Sequence, residues 1–164
     1  MEIALNQISK RFNFNWIFKG VSMTISSNEP WVILGSNGSG KSTLLSIIGG
    51  ASLPSEGKIN WSHHSKEILD SEIYKHVSIA APYLELIEEF TLQEHLKFHF
   101  SVKPLIAGIA LEELPGILGL EKALDRRISY FSSGMRQRVK LALAILSDTS
   151  VLLLDEPLSN LDRK

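Results

Sequence analysis

Gly35-Ser36-Asn37-Gly38-Ser39-Gly40-Lys41-Ser42-Thr43 governs how the rest of this chain is read. The nine residues fit the pattern G-x-x-x-x-G-K-[ST]. Glycines let a backbone curl tightly and turn its N–H groups inward, toward an anion. Leu44, Leu45, Ile47 and Ile48 follow at helical spacing, and Gly49-Gly50 ends that helix. A helix that starts at such a loop adds the positive end of its dipole. Lys41 is then placed to neutralise terminal phosphates, and the Ser42 hydroxyl to ligate Mg²⁺. Ahead of the loop, Trp31-Val32-Ile33-Leu34 is an unbroken apolar run that predicts a strand buried on both faces. Strand, glycine-rich loop and helix together predict a site for the phosphates of a nucleoside triphosphate with Mg²⁺.

A second element lies far along the chain. Val151-Leu152-Leu153-Leu154 is uniformly apolar and runs into Asp155-Glu156. A buried strand that delivers carboxylates at its C-terminal end places them where α/β sheets bind ligands. Asp155 suits Mg²⁺, held directly or through water, and Glu156 suits a general base for the attacking water. Four apolar residues before an acidic pair are weak evidence alone. They gain specificity from the phosphate loop upstream.

Composition bounds the class. The chain has 164 residues, 44% hydrophobic and 21% charged, as expected of one globular domain with a core. Formal net charge is −1, which leaves no basic field for nucleic acid. With no cysteine, disulfides, thiolate metal sites and cysteine nucleophiles are excluded. Met1-Glu2-Ile3-Ala4-Leu5 lacks the pattern of a signal peptide, and no apolar run approaches a bilayer span. The remaining elements alternate in type. Residues 2–9, 20–26, 58–61 and 77–80 read as strands, and residues 91–100, 111–118 and 132–146 as helices, with Pro115 interrupting the second. The region from Pro82 to about Arg127 is mostly helical and reads as an insertion in an α/β core.

Between the two elements stands Phe131-Ser132-Ser133-Gly134-Met135-Arg136-Gln137-Arg138. This stretch resembles the L-S-G-G-Q signature of ATP-binding cassette (ABC) transporter nucleotide-binding subunits, and the resemblance runs through nearly the whole chain in the right order. It implies an α/β fold: a P-loop NTPase core with a mostly parallel sheet, an N-terminal antiparallel β subdomain, and a helical insertion at about residues 83–140. It implies ATP as the nucleotide and ATP hydrolysis as the activity. Ser132 and Gly134 would complete the ATP site of a second copy, head to tail, rather than serve their own phosphate loop. Leu158-Ser159-Asn160-Leu161-Asp162 resembles the D-loop, which contacts that partner. Phe12, in Ile8-Ser9-Lys10-Arg11-Phe12, best matches the aromatic that stacks on adenine, with Phe14 and Trp16 as neighbours of the same chemistry. The remaining implied partner is a separate transmembrane permease, which would hold the chain in the cytoplasm at the inner face of the membrane.

The sequence departs from the family in two places. Pro82 stands where a glutamine is expected after the strand near residue 80, and it offers neither a polar side chain nor an N–H. Tyr83 and Glu85 are the nearby polar residues. A family histidine expected some thirty residues past the D-loop falls beyond Lys164, so the resemblance implies a C-terminally truncated sequence. Ser133 and Met135 also replace the usual glycine and glutamine.

Three weaker signals are set aside. His95 and His99 share a helix face, but Leu96 breaks the H-E-x-x-H pattern and no third ligand is evident. His63-His64 reads as a solvated loop. Arg136, Arg138 and Lys140 read as an exposed helix face. Two rival functions remain: a soluble, non-transport ABC ATPase, and an ATP-binding regulatory module with little hydrolysis.

Overall fold

A computed structural model describes residues 1–26 and 29–157. The chain divides into two compact units, Met1–Val77 and Ser78–Lys164.

In the first unit, β1 (Glu2–Phe12), β2 (Asn15–Ser26), β3 (Glu56–His63) and β4 (Lys66–Glu67) form an antiparallel sheet in the order β2-β1-β3-β4. The α-helix α1 (Lys41–Ile48) follows the glycine-rich loop, and a short 3-10 helix spans Asp70–Lys75. Ile3 and Leu5 alternate onto the buried face as strand periodicity requires. The alternation then slips between Leu5 and Ile8, where Gln7 takes a left-handed φ of 51°. The bulge is stabilised by Ser22 Oγ, which accepts from Gln7 N at 2.9 Å and from Gln7 Nε2 at 2.8 Å. Opposite it, Gly57 has φ +85°, and a Cβ there would lie 2.4 Å from the Gln7 carbonyl oxygen. Gly57→Ala should therefore destabilise this unit by at least about 1–2 kcal/mol, measured as a lower urea midpoint. Ile47 and Ile48 of α1 are fully buried, and Trp61 Nε1 donates to the Ile48 carbonyl at 2.8 Å. That bond satisfies one of the carbonyls a helix C-terminus leaves open.

The expected strand at residues 31–34 does not form. Trp31 is 48% exposed, Val32 76% and Leu34 86%, and none of the described strands pairs with this run. An apolar run reports that a segment can be buried. It does not supply the neighbouring strand whose N–H and C=O groups make a ladder.

β5 (Val77–Ala80), which lies in the second unit from Ser78 onward, pairs with β6 (Val151–Leu154), and the chain between them carries helices joined by loops. The longer helices are α2 (Leu92–Val102), α3 (Leu114–Leu118) and α4 (Ser133–Ile145). Thr91 and Glu94 make a reciprocal capping box at the start of α2. Pro115, read above as an interruption, lies in the first turn of α3, where its missing N–H costs no hydrogen bond. Leu92, Leu96, Leu114, Ile128 and Val139 form the centre of this unit's core. β6 is less enclosed than its composition suggests, since Leu152 and Leu154 are 42% and 39% exposed.

The two histidines of α2 are structural. His95 Nε2 accepts from Ile87 N at 3.1 Å. His99 Nε2 lies 2.9 Å from Ser147 Oγ and 3.1 Å from the Leu143 carbonyl. Burial, and then the charge of Lys103, push His99 down to about 4. A depressed folded-state value means that the unfolded chain takes up the proton first. The stability from neutral His99 is thus fully present above its ordinary value of 6.5 and is lost as pH falls through about 4. Urea midpoints should fall over that window, and less steeply in His99→Gln.

Candidate functional site

The glycine-rich loop begins at the C-terminal end of the exposed run 31–34 and closes on itself. Ser39 N donates to the Ser36 carbonyl at 3.2 Å. Gly40, the N-cap of α1, has φ 93°, and a Cβ on it would meet Ile17 Cγ2 at 2.5 Å. Glycine is required there for both conformation and space. Gly38 also has a positive φ, but a Cβ on it would meet nothing within 4 Å among the described residues. Its glycine serves conformation alone.

The start of α1 differs from those of α2 and α4. Thr91 caps α2, and Ser132 Oγ caps α4 by accepting from Met135 N at 3.3 Å. The N-terminus of α1 has no side-chain cap and no acidic residue in its first turn. Its leading amides are therefore open donors at the positive end of the helix, the combination that binds a phosphate. Lys41 Nζ bends back over the loop and donates to the carbonyls of Gly35 at 2.9 Å and Ser36 at 2.8 Å. The ammonium is thus held at the loop by two weak acceptors that an anionic oxygen would displace. Ser42 is exposed and Thr43 partly so.

Phe12 sits at the end of β1 and is 53% exposed, with Lys10 Nζ 5.2 Å from its ring centre. Phe14, at the hairpin tip, is 93% exposed. The Trp16 ring is covered by Lys19 Nζ at 4.4 Å and by Arg11 at 5.4 Å. None of the three is a buried core aromatic, and Phe14 is the most exposed of them.

In the second unit, Asp155 follows β6 and its N–H donates to the Ala80 carbonyl at 2.9 Å. The side chain is 6% exposed, and its Oδ2 has no hydrogen-bond partner among the described residues. A buried carboxylate oxygen left without a donor is costly unless a cation or water completes it. This donor fits Mg²⁺, which favours carboxylate oxygens. Glu156 is exposed and has φ 44°, a left-handed conformation seldom taken by a residue other than glycine. Pro82 is the second residue of a turn closed by Leu84 N donating to the Ala81 carbonyl at 3.2 Å. The turn gives Pro82 the fixed φ it prefers. The Tyr83 phenol is pushed above its ordinary range by burial and then by the negative charge of Asp155, so it stays protonated as a donor.

Ser132 and Gly134 lie at the start of α4, with Ser132 exposed and also acting as the N-cap. The three cations downstream lie at least partly exposed, and each also reaches a backbone carbonyl. Arg136 pairs with Glu88 at 3.0 Å and donates to the Ser129 carbonyl at 3.0 Å. Arg138 Nη1 donates to the Leu118 carbonyl at 2.7 Å, and Lys140 Nζ to the Pro82 carbonyl at 3.1 Å. Their alternation with apolar residues signalled exposure, but long cationic side chains can reach carbonyls on neighbouring elements. The segment 158–162, read above as a D-loop, lies outside the described residues.

A glycine-rich loop before an uncapped helix, and a strand ending in a buried carboxylate, define a P-loop NTPase. The ABC transporter family model matches residues 18–159, and the chain belongs to that family. It is 32% identical to the spermidine/putrescine import ATP-binding protein PotA of Acetivibrio thermocellus, over 99% of this chain and 47% of that protein. It is 31% identical to the Nod factor export ATP-binding protein I of a Rhizobium species, over 98% of this chain and 54% of that one. The chain spans about half the length of the curated relatives it matches. Among solved structures, an ATP-binding subunit of an ABC transporter superposes with a TM-score of 0.81 at 27% identity, over 99% of this chain and 69% of that one. A dimeric bacterial ABC transporter cassette superposes with a TM-score of 0.80 at 25% identity, over 98% of this chain and 76% of that one. The fold is thus that of the P-loop cassettes expected from the signature stretch. Among the described residues, no helix is long and apolar enough to cross a membrane.

Proposed function

We propose that this chain is the ATP-binding and ATP-hydrolysing part of an ABC transporter, driving transport through a separate membrane subunit. The observation that carries the reading is the uncapped N-terminus of α1 behind the loop 35–43, with Lys41 already folded onto it. Residues 1–164 form the ATP-binding domain in this reading, with the helical insertion at about 83–140. The backbone amides of Gly35, Ser36, Asn37, Gly38, Ser39 and Gly40 and those of Lys41, Ser42 and Thr43 cradle the phosphates, and Lys41 neutralises them. Phe12 stacks on adenine, its ring being half exposed. Ser42 and Asp155 would hold Mg²⁺, which would supply Lewis-acid charge stabilisation at the transferring phosphoryl group. Glu156 orients the attacking water and accepts its proton.

Partners follow from the same reading. A second copy contributes Ser132 and Gly134 to the γ-phosphate, head to tail, and the dimeric cassette it resembles supports that assembly. The printed names of the relatives, import and export ATP-binding proteins, support a permease partner and a station at the inner face of the membrane. No nucleic acid is involved. Phosphate release by the native protein should require Mg²⁺ and stop on chelation with EDTA. Affinity capture from detergent-solubilised membranes should recover a polytopic protein. Phosphate release with no such protein recovered would point to the soluble, non-transport ATPase.

A further inference from the structure

Glu156 is held in its left-handed conformation from two sides. Upstream, Asp155 N is fixed to the Ala80 carbonyl at 2.9 Å by the β5–β6 pairing. Downstream, the Pro157 carbonyl accepts from Gln137 Nε2 at 2.9 Å. An unfavourable φ persists only where its surroundings over-determine it. Two fixed points one residue away on either side meet that condition. Gln137 lies within α4 and is only 5% exposed, so its amide is out of water and needs the partner it has. One turn further along, Lys140 Nζ grips the carbonyl of Pro82 at 3.1 Å. Residues 137 and 140 share a helix face at this spacing. A single face of α4 therefore grips one proline carbonyl beyond each strand of the β5–β6 pair.

We propose that Gln137 is a positioning residue for Glu156, bracing the turn that carries this carboxylate, and that Lys140 braces the turn after β5 in the same way. The inference rests on the reading of Glu156 as the base. It adds that α4, whose first residues include Ser133 and Gly134, also sets the geometry of the carboxylate turn. Gln137 and Lys140 touch neither nucleotide nor water in this account. They act through backbone carbonyls.

The test compares steady-state ATP hydrolysis by the native protein with its Gln137→Met, Lys140→Met, Lys140→Arg and Glu156→Gln variants. Methionine keeps the length of glutamine and removes the donor. Gln137→Met should lower kcat by about tenfold or more while leaving KM and nucleotide affinity within about threefold, the split expected when a transition-state contact is lost. Lys140→Met should lower kcat in the same direction, and Lys140→Arg, which restores a donor to the Pro82 carbonyl, should recover it. A merely structural role would instead lower the melting temperature, with kcat per folded molecule unchanged. If Gln137→Met does not fold, the Lys140 pair decides the matter by the same split and rescue. Wild-type kcat in Gln137→Met or Lys140→Met, with Glu156→Gln inactive, overturns the brace and leaves the base assignment standing. Wild-type kcat in Glu156→Gln overturns the base assignment and the brace with it.

Discussion

Lys41→Ala should weaken nucleotide binding by about 100-fold or more while leaving the fold intact. The Lys41 ammonium donates to two loop carbonyls, those of Gly35 and Ser36, from a partly exposed position. Removing it leaves two exposed acceptors that water can serve, so the melting temperature should move little. The bound state fares differently. Charge-assisted bonds to phosphate are worth about 1.5–3 kcal/mol each, and the loss of two weakens affinity by about 100-fold or more. Isothermal calorimetry with ATP and Mg²⁺ checks this directly. Unchanged affinity in a folded Lys41→Ala protein would remove the loop 35–43 as the phosphate site. The uncapped amides of α1 remain in the variant, so any weak residual binding should show reduced discrimination between triphosphate and monophosphate.

Glu156→Gln should have the second large effect, and in a different quantity. Glutamine keeps the size of the side chain and one oxygen, but it cannot accept a proton from water at neutral pH. Turnover should fall by about 100-fold or more, the usual contribution of a positioned general base. Binding should stay within a few-fold, because Glu156 is exposed and is not placed on the phosphate loop. If two copies sandwich ATP, a slow chemical step leaves the sandwich closed. Light scattering with ATP should then show a dimer that the wild type forms only transiently. Retention of wild-type turnover would remove Glu156 as the base. The two variants fail in separable ways, one at binding and one at chemistry.

Much of the site was legible in the chain because its chemistry is local. The phosphate loop needs glycines at fixed spacing, and the sequence places them where positive φ is required at Gly38 and Gly40. The ends of α2 and α4 follow from residue type and periodicity, and both helices appear within a residue or two of expectation. Strand β5 and strand β6 also fall on the residues expected. Other features depend on what a segment meets in space. Trp31-Val32-Ile33-Leu34 has the composition of a buried strand but no described strand beside it. Leu152 and Leu154 keep an exposed face. Arg136, Arg138 and Lys140 read as solvated until their carbonyl partners, at Ser129, Leu118 and Pro82, are known. Gln137 gave no signal of its own, since an amide within a cationic stretch resembles any polar helix position.

The sequence by itself determined the family, the glycine-rich loop and the identity of the candidate carboxylates. Each rests on residues adjacent in the chain, and short-range backbone geometry suffices to give them meaning. Only the tertiary structure decided that α1 begins without a side-chain cap, that Asp155 Oδ2 is buried without a donor among the described residues, and that the neighbours of Glu156 are bonded to Ala80 and Gln137. Burial and hydrogen-bond satisfaction are properties of groups brought together from distant positions, here from residues 80, 137 and 155–157, and no local pattern records which of them will meet.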